Sequence, residues 1–559
     1  MTNRKFDVDD FWLSTTRGSV GASWYWPTAP VDPSTCGVVL VPGLTHEEQT
    51  MAVGLVDLAR QLASAGLPTL LIDLAGTAQG AGHLDADDIA LRWDDDVRTA
   101  VHHVRDAGLR HVAVVGVRLG ALLAARALVD DPVDLMVMWS PVLSGRRYVR
   151  ELQVMQGAAS DAVSALHPGL TVAGFNLAPH LLEHLKGMDA GKLDGKPASR
   201  LILVDTDDRL AAVPADHPLV AAVPTTRMMA PETEDWLYTA ADVCPAPFGD
   251  TPRVVDAIVA DANSHRGLST VDDGLVSRPE VDSFRTQVVT HDGARIRETF
   301  VRFGAETFPG GGSLSGILAE PEGGVVSGPA MLCVTTVGPG RIMVDLGRRE
   351  AAAGRASLRF NFSGFGSSSR RPRESWADFY HPSAPAEVGA AVDFLRSVGH
   401  ERVVVTGFCA GAWAALRMAP RPEVAGIVAI NIQLMIRSRL PHRRSWPDMR
   451  ASQQVQARVA REHQVVRVIE KLEHVFPLPS APMRWIGRHQ SSGTPVTLVY
   501  DDADLGLDYY RARERRPFGV RRRSRRPDVR AYADLGHLPA GRARDRMLAD
   551  LHELTARPV

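Results

Sequence analysis

Residues 403–418 have the sequence VVVTGFCAGAWAALRM. Three consecutive valines predict a short buried strand, and the alanine-rich segment after Cys409 predicts a helix. Between them, Gly407 and Gly411 flank a tight turn with Cys409 at its tip. Glycine suits such a turn because the backbone there is strained and larger neighbours would clash. The following helix directs the positive end of its dipole at the thiol, which favours the thiolate. The stretch therefore predicts a nucleophilic cysteine at the end of a buried strand.

The first half of the chain contains a second copy of this pattern. Residues 112–116 predict the strand and residues 119–128 the helix, with Arg118 at the position of Cys409. Further strands are predicted at 37–41, 68–75 and 135–139, and again at 331–335, 356–362 and 427–431. Short apolar strands that alternate with helices form parallel sheets covered on both faces. We therefore expect an α/β protein made of two similar domains in tandem.

The boundary between the two domains is expected near residue 280, which gives domains at 1–280 and 281–559. A chain of 559 residues is too long for one ordinary core. A late strand of the first half is predicted at 200–204, and a pair of strands opens the second half at 296–303 and 314–318. The segment between them, at 262–283, is polar and has the composition of a linker.

The composition is that of an ordinary globular protein, with 45% hydrophobic and 23% charged residues. A net charge of −2 gives no overall attraction to nucleic acid or to an anionic membrane. The four cysteines are too scattered for a disulfide framework and lack the spacing of a zinc site. No apolar run approaches membrane-spanning length, and the acidic N-terminus lacks the apolar segment of a secretory signal. We expect a cytoplasmic protein with no metal and no cofactor, since no Gly-x-Gly-x-x-Gly joins a strand to a helix.

The two turns and the repeated order of elements resemble the α/β-hydrolase fold, in which a Gly-x-nucleophile-x-Gly turn joins a strand to a helix. More narrowly, they resemble two hydrolase families that accompany exosortase-type gene clusters. One family has Gly-Leu-Arg-x-Gly-Ala at this turn, as in GVRLGA at 116–121, and is similar at 93–98 and 144–148 as well. The other has Gly-x-Cys-x-Gly, as in GFCAG at 407–411. The resemblance implies two tandem α/β-hydrolase-fold domains, each a mostly parallel sheet covered by helices, with helical cap insertions at 143–198 and 434–494.

The resemblance also implies a catalytic triad in the second domain, in the order nucleophile, acid, histidine. Cys409 is the expected nucleophile, and His537 is the expected base in a Gly-His loop before the last helix. Asp504, after the late strand at 495–500, is the expected acid, with Asp502 as the alternative. His537 would take the proton from Cys409 while the aspartate orients the imidazole. Without such roles, adjacent aspartates are ordinary turn formers, and His537 is a solvent-exposed loop residue.

The oxyanion hole is expected to consist of the amides of Ala410, after the nucleophile, and Val337, after the first core strand. In the first domain, Arg118 stays protonated and cannot attack a carbonyl group, which predicts a degenerate, non-catalytic domain. Two interpretations of Arg118 stay open. It is either a fixed cation that binds a carboxylate or phosphate, or the centre of a salt bridge that holds a non-catalytic pocket together.

The leading functional hypothesis is a cysteine-dependent acyl-transfer enzyme, either a thioesterase, an esterase or an acyltransferase, acting on an acyl ester or thioester. The basic run at 511–526 suits an acidic acyl-carrier protein or the phosphates of coenzyme A, although such runs are usually solvated loops. The run contains a single aromatic residue, Phe518, and so lacks the repeated aromatic interleaving of a nucleic-acid site. The alternative is a non-catalytic binding or scaffold protein of hydrolase fold. An acid loop and His537 in the required order favour the enzyme.

Overall fold

The computed structural model describes residues 5–158, 169–172, 174–238, 246–266, 274–308, 311–324, 327–334, 341–370, 381–432, 481–514, 526–535, 539 and 541–556. The described strands are β1 Phe6–Thr15, β2 Gly18–Pro27, β3 Cys36–Val41, β4 Thr69–Ile72, β5 His111–Val117, β6 Val133–Trp139, β7 Leu170–Val172, β8 Phe175–Leu177, β9 Ala198–Asp205, β10 Thr225–Met229, β11 Thr286–His291, β12 Ala294–Phe303, β13 Leu314–Pro321, β14 Ala330–Val334, β15 Ser357–Asn361, β16 Val403–Phe408, β17 Val424–Ile430, β18 Val496–Asp501 and β19 Asp528–Tyr532. The described helices are α1 His46–Ser64, α2 Ile89–Asp106, α3 Leu119–Ala127, α4 Gly145–Ala158, α5 Pro179–Gly187, α6 Asp207–Ala211, α7 Pro218–Ala222, α8 Thr233–Tyr238, α9 Asp250–Arg266, α10 Ile342–Ala352, α11 Ala384–Ser397, α12 Ala410–Arg417, α13 Ala481–Ser491, α14 Leu505–Glu514 and α15 Gly541–Ala556.

The first large sheet has eight strands in the order β1-β2-β4-β3-β5-β6-β9-β10. The strands from β4 onward in this order are mutually parallel. The hairpin of β1 and β2 is antiparallel and joins the sheet through an antiparallel pairing of β2 with β4. After β3 the chain places β4 on one side of it, and then places β5 on the other side. The carboxyl ends of β3 and β5 therefore form a topological switch point, where open α/β sheets bind ligands.

The second large sheet has nine strands in the order β11-β12-β13-β15-β14-β16-β17-β18-β19. Apart from the additional edge strand β11, its order matches that of the first sheet, and β14 and β16 occupy the switch point. Strands β11, β12 and β13 pair antiparallel, and the six strands from β15 to β19 are parallel. The predicted α/β fold with two mostly parallel, helix-covered sheets is therefore confirmed.

Alternation along the central strands places one hydrophobic cluster on each face of each sheet. In the first sheet, Val39 and Val114 point into one cluster, and Leu40 and Val115 point into the other. In the second sheet, alternate side chains of the central strands likewise point into two further clusters, one on each face. Helices α3 and α12 pack between strands and neighbouring helices, which explains why they consist almost entirely of alanine, leucine and other apolar residues.

Two parts of the fold differ from the sequence-based expectation. The hairpin of β1 and β2 was not predicted, because an antiparallel edge pair mixes acidic and apolar residues and lacks the continuous apolar run of a buried parallel strand. The apolar spacing after the strand at 37–41 predicts a helix over about 52–65, whereas helix α1 begins earlier, at His46. The strands of the first sheet end at Met229 and those of the second begin at Thr286. The domain boundary near residue 280 stays a prediction.

The two halves contact each other around Glu298 of β12, which is fully buried. Its carboxylate accepts hydrogen bonds from Arg348 Nη2 at 3.0 Å and Arg359 Nη2 at 2.6 Å. From the first half, Trp12 Nε1 donates to the Glu298 backbone oxygen at 3.2 Å, and Gln79 O accepts from Arg348. Burial opposes the ionisation of Glu298, but the two arginines outweigh this effect and lower its pKa to about 2.

The predicted cap of the first half contains α4, β7, β8 and α5 among its described residues. Most of the predicted cap of the second half, residues 434–480, lies outside the described residues, and α13 follows it. Within the described ranges, no helix is both long enough and apolar enough to cross a bilayer.

Candidate functional site

The turn at Cys409 joins β16 to α12, with φ 49° and ψ −111° at the cysteine. A positive φ is strained for a residue with a side chain. The Cys409 amide donates to Ile430 O at 2.9 Å, and its carbonyl accepts from Trp413 N at 3.1 Å. A Cβ added at Gly407 would lie 2.6 Å from Cα of Ala412, so only glycine lets the helix approach the strand this closely. The predicted strand–turn–helix is present, with the cysteine at its tip.

The Cys409 thiol differs in its surroundings from two other cysteines. It is partly exposed at the start of a helix, whereas Cys36 and Cys333 are buried in sheet strands. Burial raises the pKa of both buried thiols to about 12, which keeps them protonated and inert at neutral pH. Cys244 lies outside the described residues.

Arg118 occupies the equivalent turn between β5 and α3, at φ 52° and ψ −122°. Its amide donates to Trp139 O at 3.0 Å, which matches the bond from the Cys409 amide to the neighbouring strand. A Cβ added at Gly116 would lie 2.5 Å from Cα of Ala121. The two turns therefore share strain, glycine requirement and hydrogen bonding, and they differ in the side chain that they present.

The Arg118 side chain is buried and engaged by acids. Its Nε donates to Glu47 Oε1 at 2.7 Å, and its Nη2 donates to Glu151 Oε1 at 2.7 Å. Tyr148 donates from its hydroxyl to Glu47 Oε2 at 3.1 Å, and its ring lies below the guanidinium. A cation at the positive end of α3 is unfavourable without such partners. The salt-bridge interpretation of Arg118 agrees with these contacts, and its partners are Glu47 of α1 and Glu151 of α4.

The acid loop after β18 contains three aspartates in different settings. Asp501 is buried at the end of the strand and accepts a hydrogen bond from Ala503 N at 2.9 Å. Asp502 is exposed, and its amide donates to Tyr532 O at 3.1 Å. Asp504 Oδ1 accepts from Gly506 N at 2.6 Å, which makes it the N-cap of α14. A carboxylate can accept several hydrogen bonds, so a capping role leaves room for an imidazole.

Several predicted site residues lie outside the described residues. These are His537, Val337 and most of the basic run, since residues 515–525 are not described. Ala410 is described as the first residue of α12, and its amide is among the N-terminal groups that the helix itself cannot bond. In the part of the chain that the structure describes, no cluster of three His, Cys, Asp or Glu side chains is arranged to hold a metal ion.

Sequence reasoning missed Asn431, which lies directly after β17 next to the Cys409 turn. It is 1% exposed, has φ 47°, and donates a hydrogen bond from its backbone N–H to Val499 O at 2.8 Å. Ser140 has the matching position in the first half, with φ 44° and a hydrogen bond donated from its backbone N–H to Val204 O at 2.7 Å. The repeat could have indicated these two residues, since each directly follows the strand that pairs with the strand before a predicted turn. Their residue types alone do not indicate a buried, strained position.

No protein-family model matches the sequence, and no curated protein is similar to it. Solved structures similar to part of the chain include an alpha-beta serine hydrolase homologue from Coxiella burnetii, Est1E from Butyrivibrio proteoclasticus and a putative hydrolase from Agrobacterium vitis S4. Their sequence identities are 14%, 11% and 14%, and their TM-scores are 0.27, 0.32 and 0.31. They cover 47%, 45% and 46% of this chain, and 98%, 99% and 100% of their own. Likenesses this weak say nothing about substrate or mechanism, and the α/β fold follows from the strand order itself.

Proposed function

We propose that residues 281–559 form a cysteine-dependent acyl-transfer enzyme that works through an acyl-enzyme intermediate on Cys409. The observation that carries this proposal is the position of Cys409. Its partly exposed thiol lies on a strained turn at the carboxyl end of β16, where the sheet has its switch point and α12 begins. Open α/β sheets bind ligands at this point, and a helix N-terminus stabilises the thiolate that attacks.

The proposed reaction proceeds in two steps on an ester or thioester. His537 takes the proton from Cys409 Sγ, and the sulfur attacks the acyl carbon, so that a C–S bond forms and the carbonyl oxygen becomes an oxyanion. The amides of Ala410 and Val337 stabilise that oxyanion. The intermediate collapses, the bond to the leaving group breaks, and His537 protonates the leaving alcohol or thiol. Water or another acceptor then releases the acyl group from Cys409 by the same steps.

The orienting acid in this proposal is Asp504, with Asp502 as the alternative. Asp504 is held by its hydrogen bond to Gly506 N at the start of α14, so its carboxylate has a fixed orientation. An orienting acid needs such fixation because it selects the tautomer of the histidine.

A thioester is the favoured substrate, since a thiol exchanges with a thioester at little cost in bond energy.

The first half has a supporting role in this proposal. Its turn presents Arg118, which is ion-paired with Glu47 and Glu151 and has no nucleophilic atom at neutral pH. The proposed division of labour is therefore one reacting domain, residues 281–559, and one non-reacting domain, residues 1–280.

Acylation of Cys409 is tested by incubating the full chain with an acyl-thioester probe and measuring its intact mass. We expect one acyl adduct on the wild type and none on Cys409→Ala. Cys333→Ala is the matched control, because its buried thiol is protonated at neutral pH and its removal should leave the adduct in place. His537→Ala should slow acylation by at least ~10²-fold.

The competing function is a non-catalytic binding or scaffold protein of the same fold. A folded wild type that gains no adduct on Cys409 would exclude the enzyme and leave this alternative. If the enzyme is confirmed, an acidic acyl-carrier protein or coenzyme A is the proposed donor, recognised by residues 511–526. Acylation from such a donor should then weaken steeply with salt concentration, whereas acylation from a small neutral thioester should not.

A further inference from the structure

A cavity of about 260 Å³ lies between the two halves and is built from both large sheets. From the first half it is lined by Asp73, after β4, and Glu48 of α1. From the second half it is lined by Arg341, immediately before α10, and Arg359 of β15. Four ionisable side chains from separate elements therefore share one internal space.

The two arginines have buried N–H groups without partners. Arg341 is 8% exposed, and its Nη1 donates to Gly82 O at 3.0 Å. Its Nε and Nη2 have no hydrogen-bond partner within the described part of the chain. Arg359 is 5% exposed, and it donates from Nε to Gln79 and from Nη2 to Glu298, whereas its Nη1 has no partner there. Buried donors are costly to leave unpaired, so a ligand that accepts hydrogen bonds from them would be stabilised.

The acids on the opposite wall determine the charge that such a ligand can have. Burial, with the proximity of Asp73 adding to it, raises the pKa of Glu48 to about 8, and burial raises that of Asp73 to about 7. Asp10 also lines the cavity, which adds a third acid. A carboxyl group that keeps its proton near neutral pH can donate a hydrogen bond to an anion. A monoanion therefore fits this site better than a dianion, whose second charge would face the acids.

Part of the remaining lining is apolar. Leu55 and Val56 of α1 face it from the first half, and Met343 and Val344 of α10 face it from the second half. Pockets that bind drug-sized ligands have volumes of roughly 300–1,000 Å³. This smaller, mixed cavity suits a compact molecule with one anionic end and one apolar end.

We propose that this cavity is a binding site for a small monocarboxylate. The carboxylate accepts hydrogen bonds from Arg341 and Arg359, and a short chain or single ring packs against the apolar side chains. Cys409 does not line the cavity. Binding would tie the two halves together, since each half supplies part of the lining.

The test is titration calorimetry of the full-length Cys409→Ala protein with butyrate, benzoate and inorganic phosphate. Cys409 is replaced so that any binding observed does not depend on its thiol. We expect saturable one-to-one binding of butyrate or benzoate, and binding of phosphate at least ~10-fold weaker. Arg341→Gln should weaken carboxylate binding at least ~10-fold, because it removes the charge and two unpaired donors.

Two further variants make the result decisive. Ala52→Leu places a larger side chain in the cavity without altering any charge, so it should abolish binding by steric exclusion, and it tests the site even if Arg341→Gln fails to fold. Arg295→Gln removes a surface arginine paired with Glu322 and should leave affinity unchanged. The proposal is overturned if neither carboxylate binds, if phosphate binds best, or if Ala52→Leu leaves affinity intact.

Discussion

Arg118 and Cys409 have almost the same backbone conformation, with φ of 52° and 49° at the tips of two matching turns. A non-glycine residue in such a region costs on the order of 1–3 kcal/mol. The first half maintains this strain although its side chain cannot act as a nucleophile. Close packing of helix on strand, shown by the contacts around Gly116 and Gly407, therefore requires the turn irrespective of catalysis. What distinguishes the second half is its thiol.

Arg118 is expected to be essential for the stability of the first half. Arg118→Met leaves Glu47, whose side chain is 2% exposed, without its cationic partner. Breaking a buried pair in this way costs about 3–5 kcal/mol, which urea unfolding followed by fluorescence would measure. The double variant Arg118→Met, Glu47→Gln should recover much of this loss, because no unpaired charge stays buried.

The matched control for this pair lies on the surface. Arg92→Met breaks the ion pair between Arg92, which is 25% exposed, and Asp88, which is 33% exposed. This substitution should lower the free energy of unfolding by less than about 1 kcal/mol. A double variant at Arg118 and Glu47 that is as unstable as the single variant would show that packing, rather than charge burial, makes Arg118 important.

The glycines before the two turns are expected to tolerate no side chain. Gly407→Ala and Gly116→Ala each place a Cβ within 2.6 Å and 2.5 Å of helix backbone that cannot move independently. We expect each substitution to destabilise the protein by about 1–3 kcal/mol, and Gly407→Ala to slow labelling of Cys409 as well. Gly487→Ala is the control, since nothing lies near its added Cβ within α13 and alanine favours a helix. Equal stability of Gly407→Ala and wild type would contradict the close approach.

The sequence predicted both turns and the central parallel strands, because each depends on local apolar runs and glycine spacing. It did not predict the partners of Arg118, since Glu47 is 71 residues away and its residue type is normally exposed. The cap at Asp504 could have been inferred from an aspartate before a helix, but competing roles for adjacent acids concealed it. Arg341 gave no signal, because its burial arises from contact between the halves.

Glu298 is expected to hold the two halves together through charge. Glu298→Gln keeps the shape of the side chain but leaves Arg348 and Arg359 without their shared counterion. We expect a loss of about 3–5 kcal/mol in the free energy of unfolding and faster proteolysis between the halves. Glu322→Gln is the surface control, because its partner Arg295 is 65% exposed.

The effect of Glu298 should depend on pH in a defined direction. Its pKa is lowered to about 2 in the folded protein, against roughly 4.3 for an unperturbed glutamate. The stabilisation is therefore complete above about pH 5 and is lost as the pH falls toward 2. The gap between wild type and Glu298→Gln should be constant from pH 5 to 8 and narrow on acidification. A gap that widens in acid would contradict the pairing.

Glu48 should change the stability with pH in the direction opposite to Glu298. Burial raises its pKa to about 8, with Asp73 adding to the shift and Arg341 opposing it. The folded state then holds a proton that the unfolded state releases above about pH 4.3, so this residue lowers stability as the pH rises toward 8. Glu48→Gln, which mimics the protonated carboxyl, should gain stability relative to wild type between pH 5 and 9. Thermal unfolding across that range would measure it, and a constant difference would contradict the shift.

The two proposed roles of Asp504, orienting His537 and capping α14, can be separated by substitution. Asp504→Asn keeps an oxygen to accept from Gly506 N, so stability should change by less than about 0.5 kcal/mol. Acylation of Cys409 should still slow by at least ~10²-fold, because a neutral amide neither stabilises the imidazolium nor selects its tautomer. Asp504→Ala should slow acylation equally and also lose about 1 kcal/mol of stability. Asp502→Asn should change neither quantity, and if it alone slowed acylation, Asp502 would be the orienting acid.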